Sequence, residues 1–285
     1  MKTKTSLMLI TLSSIIFAGE NFIELGAGYV TAKDNLVYIK EKKSIDLINS
    51  PTQQDMVIPV FTLQYNGFFI GTGNDSEGIG YCYDFEDFSL EASINSDKVF
   101  EDPYRSTKSI DLVEMGVVVS KTMYELLEIS LGYKNIQVDD KVSVSDTQQS
   151  ANQLNFNTEA ILLILGQNSF AGLGYHFTYH DSKGKSNSYL KNGISVFTIF
   201  ELAKDYELVS QVMYAGYKFN EKNSHFSKLR DEDELTFFTN LKVDNIFNSK
   251  DFFLQTSLFY NRMDSNINFF DQEYTGSSFS IGYKF

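Results

Sequence analysis

Alternation with a period of two runs through most of the sequence, and it limits the chain to a fold made of strands. In "LEISLGYK" (Leu127 to Lys134) apolar residues alternate with Glu, Ser, Gly and Lys, and "FIELGAGY", "FSLEASIN" and "FAGLGYHFTYH" repeat the pattern. Successive side chains of a strand point to opposite faces, so each stretch predicts one apolar and one polar face. The polar faces carry Gly, Ser and charge, which suits the hydrated interior of a barrel better than the exposed faces of a sandwich.

Composition supports strands and excludes several classes of function. Proline is scarce at 3, Trp is absent, and Tyr and Phe number 17 and 25, a mixture that favours strands over helices. The formal net charge of −13 argues against a nucleic-acid partner. The single cysteine, Cys82, can form no internal disulfide and no cysteine-built zinc site.

The first nineteen residues have the pattern of a secretory signal peptide. Lys2 and Lys4 precede an apolar stretch from Leu7 to Phe17, and small residues follow at Ala18 and Gly19. We therefore expect a cleaved signal peptide over 1–19 and a single domain over 20–285. After residue 19 no apolar run approaches the roughly eighteen residues of a transmembrane helix, so any crossing of a membrane must be made by strands.

Connections between the predicted strands alternate between short and long along the whole chain. Six tight turns and seven longer loops join about fourteen antiparallel strands, with twelve strands as the alternative. This asymmetry predicts an all-β, transmembrane, antiparallel up-and-down β-barrel with short periplasmic turns and longer external loops. The short connections are Asn66-Gly67, Glu86-Asp87, Met123-Tyr124, Gln167 to Ser169, Lys204-Asp205 and Asn248 to Lys250; the long ones are Lys33 to Asp55, Asn74 to Gly78, Asp97 to Thr107, Asp139 to Asn152, Asp181 to Asn187, Asn220 to Asp231 and Ser265 to Gln272.

Aromatic residues crowd the predicted tight turns. Amphipathic rings collect where lipid headgroups meet hydrocarbon, so this row predicts an aromatic girdle at the turn side of a membrane barrel. The alternative is a soluble sandwich whose strand ends happen to be aromatic. The residues in question are Tyr65, Phe68, Phe85, Phe88, Tyr124, Phe170, Tyr206, Phe247, Phe252 and Phe285.

The chain ends on "SSFSIGYKF", a strand pattern that runs to the last residue. Together with the leader and the alternating strands, this ending resembles Gram-negative outer-membrane β-barrel proteins. The resemblance implies an outer-membrane location, contact with outer-membrane lipid, and recognition of Tyr283 and Phe285 by the assembly machinery as a C-terminal signal. The stretch "EDPYRSTKSIDL" is similar to one in a family of uncharacterised outer-membrane proteins, and that family supplies no catalytic residues.

If the apolar set of each strand faces lipid, the opposite set lines a lumen with more acid than base. This excess favours cations and predicts a passive, porin-like channel for small polar or cationic solutes, with no cofactor and no metal site. Phe238 and Phe259 also fall on the inward set, so a plugged barrel with a structural or adhesive role stays open as an alternative. The predicted lumen-facing residues are Glu24, Asp84, Glu86, Glu91, Glu114, Glu128, Lys134, Glu159, Lys242 and Asp244.

A lipid-acting enzyme is the other alternative. "YHDSKGKS" resembles the His-x-Ser stretch of outer-membrane phospholipase A, and the resemblance implies that His180 is the base and Ser182 the nucleophile. The orienting Asn has no clear match, because Asn187 and Asn192 are displaced from the family's spacing. The alternation of side chains along the strand also directs His180 and Ser182 toward the lumen, whereas a lipase site must face the lipid. Finally, the acidic stretch "RDEDEL" (Arg230 to Leu235) is expected to be a solvated loop.

Overall fold

The strands form one closed sheet, in which the first strand pairs with the last. A computed structural model describes residues 21–38, 46–73, 76–85, 87–100, 109–138, 150–166, 168–223 and 226–285. Every strand is antiparallel to its neighbours, and β1 pairs with β14 from Phe22 opposite Lys284 to Asp34 opposite Gln272. The strands are β1 (Phe22–Tyr38), β2 (Asp46–Tyr65), β3 (Phe68–Gly73), β4 (Ser76–Asp84), β5 (Ser89–Phe100), β6 (Ser109–Met123), β7 (Leu127–Val138), β8 (Ala151–Gly166), β9 (Ser169–Ser182), β10 (Tyr189–Ala203), β11 (Tyr206–Asn223), β12 (Lys228–Asp244), β13 (Phe252–Ser265) and β14 (Gln272–Lys284).

The predicted antiparallel barrel of fourteen strands is thus confirmed, and the alternatives of twelve strands and of a soluble sandwich are wrong. The predicted signal peptide, 1–19, lies outside the described residues and stays a prediction. Among the described residues, no helix is both long and apolar enough to cross a membrane.

Tight turns gather at one end of the barrel, which we call the turn end; the opposite end is the loop end. Asn66 and Gly67 link β2 to β3 with φ of 48° and 84°. Two successive positive φ angles define the hairpin turn whose twist matches the flanking strands, and an Asn-Gly pair adopts it readily. Asp205, with φ of 78°, makes the corresponding turn between β10 and β11.

Several strands extend further at the loop end than the alternation predicts. The pairing of β1 with β2 continues to Tyr38 opposite Asp46, so most of the predicted loop from Lys33 to Asp55 is strand. Likewise "RDEDEL" is not a loop, because Arg230 to Leu235 lie within β12. Beyond the apolar layer neither face of a strand contacts lipid, so backbone pairing can continue without apolar alternation.

The outward face of the strands is apolar and exposed. Leu25, Leu131, Ile194 and Phe279 are each more than half exposed, and Val57 is 76% exposed. A continuous apolar outer surface of this extent is far beyond what a water-soluble monomer carries. It fits the lipid-facing band of a transmembrane barrel.

A row of rings closes the turn end across the junction of the first and last strands. Phe247 contacts Phe252, Phe252 contacts Tyr283 at 5.0 Å between ring centroids, and Tyr283 stacks on Phe285 at 6.3 Å. The Phe285 ring in turn stacks on Tyr65 at 6.1 Å, and its backbone N–H donates to the Asn21 carbonyl. This contact ties β14 to the turn after β2.

The predicted aromatic row therefore exists, with one correction. Phe170 lies on the same face of β9 as Gly172 and Gly174, which are buried on the lumen side. Phe170 therefore does not belong to the outward row. The reason is the register of β9, in which Ala171 rather than Phe170 takes the outward position.

A second row of aromatics marks the loop end of the apolar band. Three outward tyrosines on alternate strands each donate a hydrogen bond from the hydroxyl to a polar side chain on the next strand. Such tyrosines suit the boundary between hydrocarbon and water, because the ring is apolar and the hydroxyl is polar. The bonds are Tyr133 to Asn152 (2.8 Å), Tyr175 to Asn192 (2.8 Å) and Tyr214 to Asp233 (2.7 Å).

Candidate functional site

The lumen is the candidate site, and the barrel brings the predicted acidic residues onto its wall. Glu24 and Glu114 are buried there, and Ser280 donates a hydrogen bond to the Glu24 carboxylate. Asp84 lies on the lumen-facing side of β4, at the turn end of the strand, and is exposed. Glu86 lies outside the described residues, and its assignment stays a prediction.

Five basic side chains of the described lumen wall lie within ion-pair distance of a carboxylate. The two opposite charges of each pair largely cancel at longer distance. The basic side chains therefore have little net effect on a passing ion. The pairs are Lys134 with Glu114 (2.7 Å), Lys191 with Glu234 (2.5 Å), Arg230 with Glu232 (3.1 Å), Lys242 with Asp244 (3.7 Å) and Lys284 with Asp244 (3.0 Å).

Several other lumen-facing carboxylates have no basic partner at ion-pair distance among the described residues, and Glu91, Glu128 and Glu159 are three of them. Glu128 on β7 lies directly opposite Glu159 on β8. Like charges in this position repel, and a strand pair normally avoids them. The three residues sit on β5, β7 and β8, so this side of the lumen is acidic.

A belt of hydrogen bonds crosses five strands near the acidic pair. Asn157 donates to Ser130 at 3.3 Å, and its carbonyl oxygen lies 3.1 Å from His176 Nδ1. His176 Nε2 lies 2.8 Å from the Ser195 hydroxyl, to which Gln211 donates at 3.4 Å. The belt satisfies the polar side chains of the wall.

The belt contains the Ser, His and Asn groups of a hydrolytic triad, but its geometry does not suit one. Ser195 is only 2% exposed, so its hydroxyl offers no surface to a substrate. A nucleophile must reach the reacting carbonyl while it contacts its base. We therefore interpret the row from Asn157 through His176 to Ser195 as a polar lining.

The large lumen-facing rings lie flat against the wall. Four phenylalanines are each directly opposite a glycine on the neighbouring strand, and a Cβ atom on that glycine would come within 2.0–2.3 Å of the ring. The missing side chain creates the space in which the ring lies, a packing known to stabilise strand glycines. The pairs are Phe69 with Gly80, Phe197 with Gly172, Phe259 with Gly276 and Phe253 with Gly282.

Phe238 and Phe259 are the inward aromatic residues that the sequence offers as a possible plug. Phe259 covers Gly276 rather than projecting across the lumen, and Phe238, directly opposite Phe259, is buried at 6% exposure. Both residues are on the inward set, as predicted. Both residues thicken the wall on the side of β12 to β14.

At the loop end, a buried cluster centres on Glu234. This carboxylate is within 2.5 Å of the Lys191 ammonium and accepts hydrogen bonds from Tyr217 at 2.6 Å and Asn261 at 2.7 Å. A buried charge costs little only when its hydrogen bonds are satisfied, and here three donors share it. Lys191 also lies 4.9 Å from the centre of the Tyr217 ring.

Arg230 holds a segment of the loop end against the inside of the barrel. Its guanidinium lies 3.6 Å from the centre of the Phe219 ring and 4.2 Å from that of Phe270, which belongs to a short 3-10 helix before β14. Asp271, next to Phe270, accepts a hydrogen bond from the Ser265 backbone at 2.7 Å. Burial raises the pKa of the Asp271 carboxyl.

His180 and Ser182, the candidates of the lipase hypothesis, are not hydrogen-bonded to each other in the described structure. His180 Nδ1 lies 3.2 Å from Gln153 Oε1, and the ring stacks on Tyr189 at 4.6 Å. The Ser182 hydroxyl donates to the Ser150 carbonyl, and Ser182 is 1% exposed.

Sequence reasoning missed the loop-end ion pairs. The sequence pattern does not single out Lys191, and it predicts a loop where Arg230, Glu232 and Glu234 lie within β12. The signal was present: Phe238 was predicted to face inward, and counting back in steps of two gives 234, 232 and 230. The sequence pattern cannot predict that Glu234 pairs with Lys191, because β11 lies between their strands, β12 and β10.

A family model described as "Protein of unknown function (DUF2860)" matches residues 19–284. No curated protein matches the sequence.

Two solved structures share the fold with a TM-score of 0.51 and 8% identity. One is the COG4313 outer membrane channel from Pseudomonas putida F1, with 93% of this chain and 96% of that chain covered. The other is described as a bacterial polysaccharide outer membrane secretin, with 93% and 99% covered. OmpT, an outer membrane protein of Vibrio cholerae, aligns at 11% identity and a TM-score of 0.44 over 93% of this chain and 97% of that chain. The resemblance to Gram-negative outer-membrane barrels is confirmed at the level of the fold.

The Lys191–Glu234 pair gives a testable prediction about stability. Lys191→Met leaves a buried carboxylate without its counter-charge, which we expect to lower the free energy of unfolding by about 3 kcal/mol. Denaturant titration in detergent micelles, followed by far-ultraviolet circular dichroism, measures it.

Lys33 provides the matched control, because its pair with Glu273 is as short, at 2.6 Å, but exposed. Lys33→Met should cost less than about 1 kcal/mol. Equal losses for the two variants would contradict the assignment of Glu234 to a buried site.

Proposed function

We propose that this chain, which belongs to the family described as Protein of unknown function (DUF2860), is a passive outer-membrane channel for small polar solutes that favours cations. The observation that carries the proposal is the imbalance of charge on the lumen wall. Five basic side chains of the described wall lie beside carboxylates, while Glu91, Glu128 and Glu159 have no basic partner at ion-pair distance among the described residues. A pore wall of one sign raises the local concentration of ions of the opposite sign.

The packing of the lumen-facing rings supports passage through the barrel. Phe197, Phe253 and Phe259 lie on glycines of the adjoining strand, so these rings occupy space within the wall. In this proposal solutes move along β5, β7 and β8, past Glu91 and the Glu128–Glu159 pair.

Orientation and export complete the proposal. We propose that the segment 1–19 directs export across the inner membrane, that the turn end faces the periplasm, and that outer-membrane lipid surrounds the apolar band. Short periplasmic turns and longer external loops are the usual arrangement in such barrels.

The channel proposal predicts stepwise conductance of the refolded protein in planar bilayers, with a reversal potential that favours cations. Glu128→Gln and Glu159→Gln should each lower the ratio of cation to anion permeability, and the double variant should lower it further, because each removes an uncompensated charge.

Glu273→Gln is the control, since Glu273 faces outward and pairs with Lys33. It should leave the permeability ratio unchanged. Bilayers that stay silent over a wide voltage range would contradict the channel and favour a closed structural or adhesive barrel.

We further propose that the outer-membrane assembly machinery is a partner that recognises Tyr283 and Phe285. Deletion of Phe285 should lower the amount of protein in the outer membrane of cells more than it lowers the yield of refolding in detergent. Phe247→Ala is the control, because Phe247 is an exposed ring of the same row but distant from the C-terminus in sequence. Normal outer-membrane levels of the truncated chain would refute this role.

Finally, we propose that the chain is not a lipid hydrolase. His180 bonds to Gln153, and Ser182 and Ser195 offer almost no accessible hydroxyl. Release of fatty acid from phospholipid by the refolded protein, lost in Ser182→Ala, would contradict this.

A further inference from the structure

The barrel wall is much lower at β3 and β4 than elsewhere. β3 has 6 residues and β4 has 9, whereas β2 beside them has 20 and β5 has 12. A strand rises about 3.3 Å per residue, so β3 runs for only about 20 Å and, with the usual tilt, reaches a height of about 15 Å. The apolar band of an outer-membrane barrel is about 25 Å tall, and the same arithmetic gives β4 a height of about 23 Å, so the wall ends inside the hydrocarbon layer at β3 and near its outer boundary at β4.

Above β3, the edge of β2 is free of a strand partner within the described part of the chain. β2 pairs with β1 over nearly its whole length, but with β3 only from Phe61 to Tyr65. The edge from Asp46 to Val60 therefore faces a notch between β2 and β5. We call this opening the β2–β5 notch.

Two of the three prolines of the chain suit β2 to this open edge. Tyr65 and Phe68 close a two-residue hairpin, so the backbone groups of Tyr65 point toward β3. Every second residue back along β2 points the same way, and this series includes Pro59 and Pro51. Proline has no N–H to leave unpaired and is confined to the edges of sheets. The sequence thus removes donors from the side of β2 that lacks a partner.

The lumen wall beside the notch is apolar, in contrast to the acidic wall across it. On β1 and β2 the lumen-facing residues at this level are Val30, Ala32 and Ile58, which are buried, with Met56 and Val60 half-buried. The outward residue Val57, on the same stretch, is 76% exposed. An apolar surface thus continues from the lipid face around the edge of β2 into the lumen.

From these observations we infer that the β2–β5 notch is a lateral portal that admits the apolar chain of an amphiphile from the outer leaflet into the lumen. The portal lies within the hydrocarbon layer, so acyl chains are the molecules that reach it. The exposed Val57 and the half-buried Met56 and Val60 give such a chain an apolar surface to lie on, and the two prolines reduce the number of unpaired N–H groups that it meets. This inference goes beyond the proposed channel and does not depend on ion conduction.

The absence of tryptophan from the chain allows a direct test. Single-tryptophan variants are placed in vesicles of dioleoyl phosphatidylcholine or of phosphatidylcholine with brominated acyl chains, and the loss of fluorescence reports contact with the chains. Val60→Trp faces the lumen beside the notch, and Val118→Trp faces the lumen on β6. The two are matched, since each valine lies five residues before the end of its strand at Tyr65 or Met123. Val117→Trp is the lipid-facing reference.

We expect Val60→Trp to lose most of its fluorescence in brominated lipid, as Val117→Trp does, while Val118→Trp keeps most of its own. Quenching of Val60→Trp closer to that of Val118→Trp than to that of Val117→Trp would overturn the portal, including the case in which a second copy of the barrel covers the notch. Heat-modifiable migration verifies folding, and Met56→Trp replaces Val60→Trp if the latter does not fold. Because conductance is measured separately, a failed portal and a failed channel are distinguishable.

Discussion

Every backbone N–H and C=O group of a strand that lies in hydrocarbon needs a hydrogen-bond partner from the protein. An unpaired N–H or C=O costs several kcal/mol where there is no water, so a sheet in a membrane must close on itself. Here closure is made by β1 and β14, from Phe22 opposite Lys284 onward, and the stacking of Phe285 on Tyr65 holds the turn end of that junction. The short β3–β4 hairpin is the one part of the described barrel that satisfies the constraint only over part of the membrane's thickness. There Pro51 and Pro59 remove two of the N–H donors from the unpaired edge of β2.

The inside of the barrel follows from a second constraint, that side chains of the lumen must be satisfied without filling it. Glycines opposite phenylalanines allow bulky rings to lie within the thickness of the wall. Ion pairs such as Lys191 with Glu234 satisfy buried charges on one side. The opposed Glu128 and Glu159 have no comparable explanation in stability, since like charges directly opposite destabilise a strand pair. A cost of that kind is commonly retained at a functional site.

Much of the architecture could be predicted from the sequence because strands in a membrane carry a strong local signal. Alternation fixed the facing of Glu24, Glu91 and Leu131, and turn residues such as Asn66-Gly67 located the hairpins. The signal fails where neither face of a strand contacts lipid, which is why β1, β2 and β12 extend through stretches assigned to loops. The contacts of the lumen depend on the register between strands and on side chains from several of them, so neither the placement of Phe253 on Gly282 nor the Glu234 cluster could be deduced from one segment.

A cysteine scan of β6 determines whether alternate residues of a strand face water inside the barrel and lipid outside it. In a Cys82→Ser background, single cysteines from Met115 to Ser120 are exposed in vesicles to a charged thiol reagent that does not dissolve in lipid. We expect reaction at Gly116, Val118 and Ser120 and none at Met115, Val117 and Val119. Reaction at the second set, or a rate without a period of two, would contradict it.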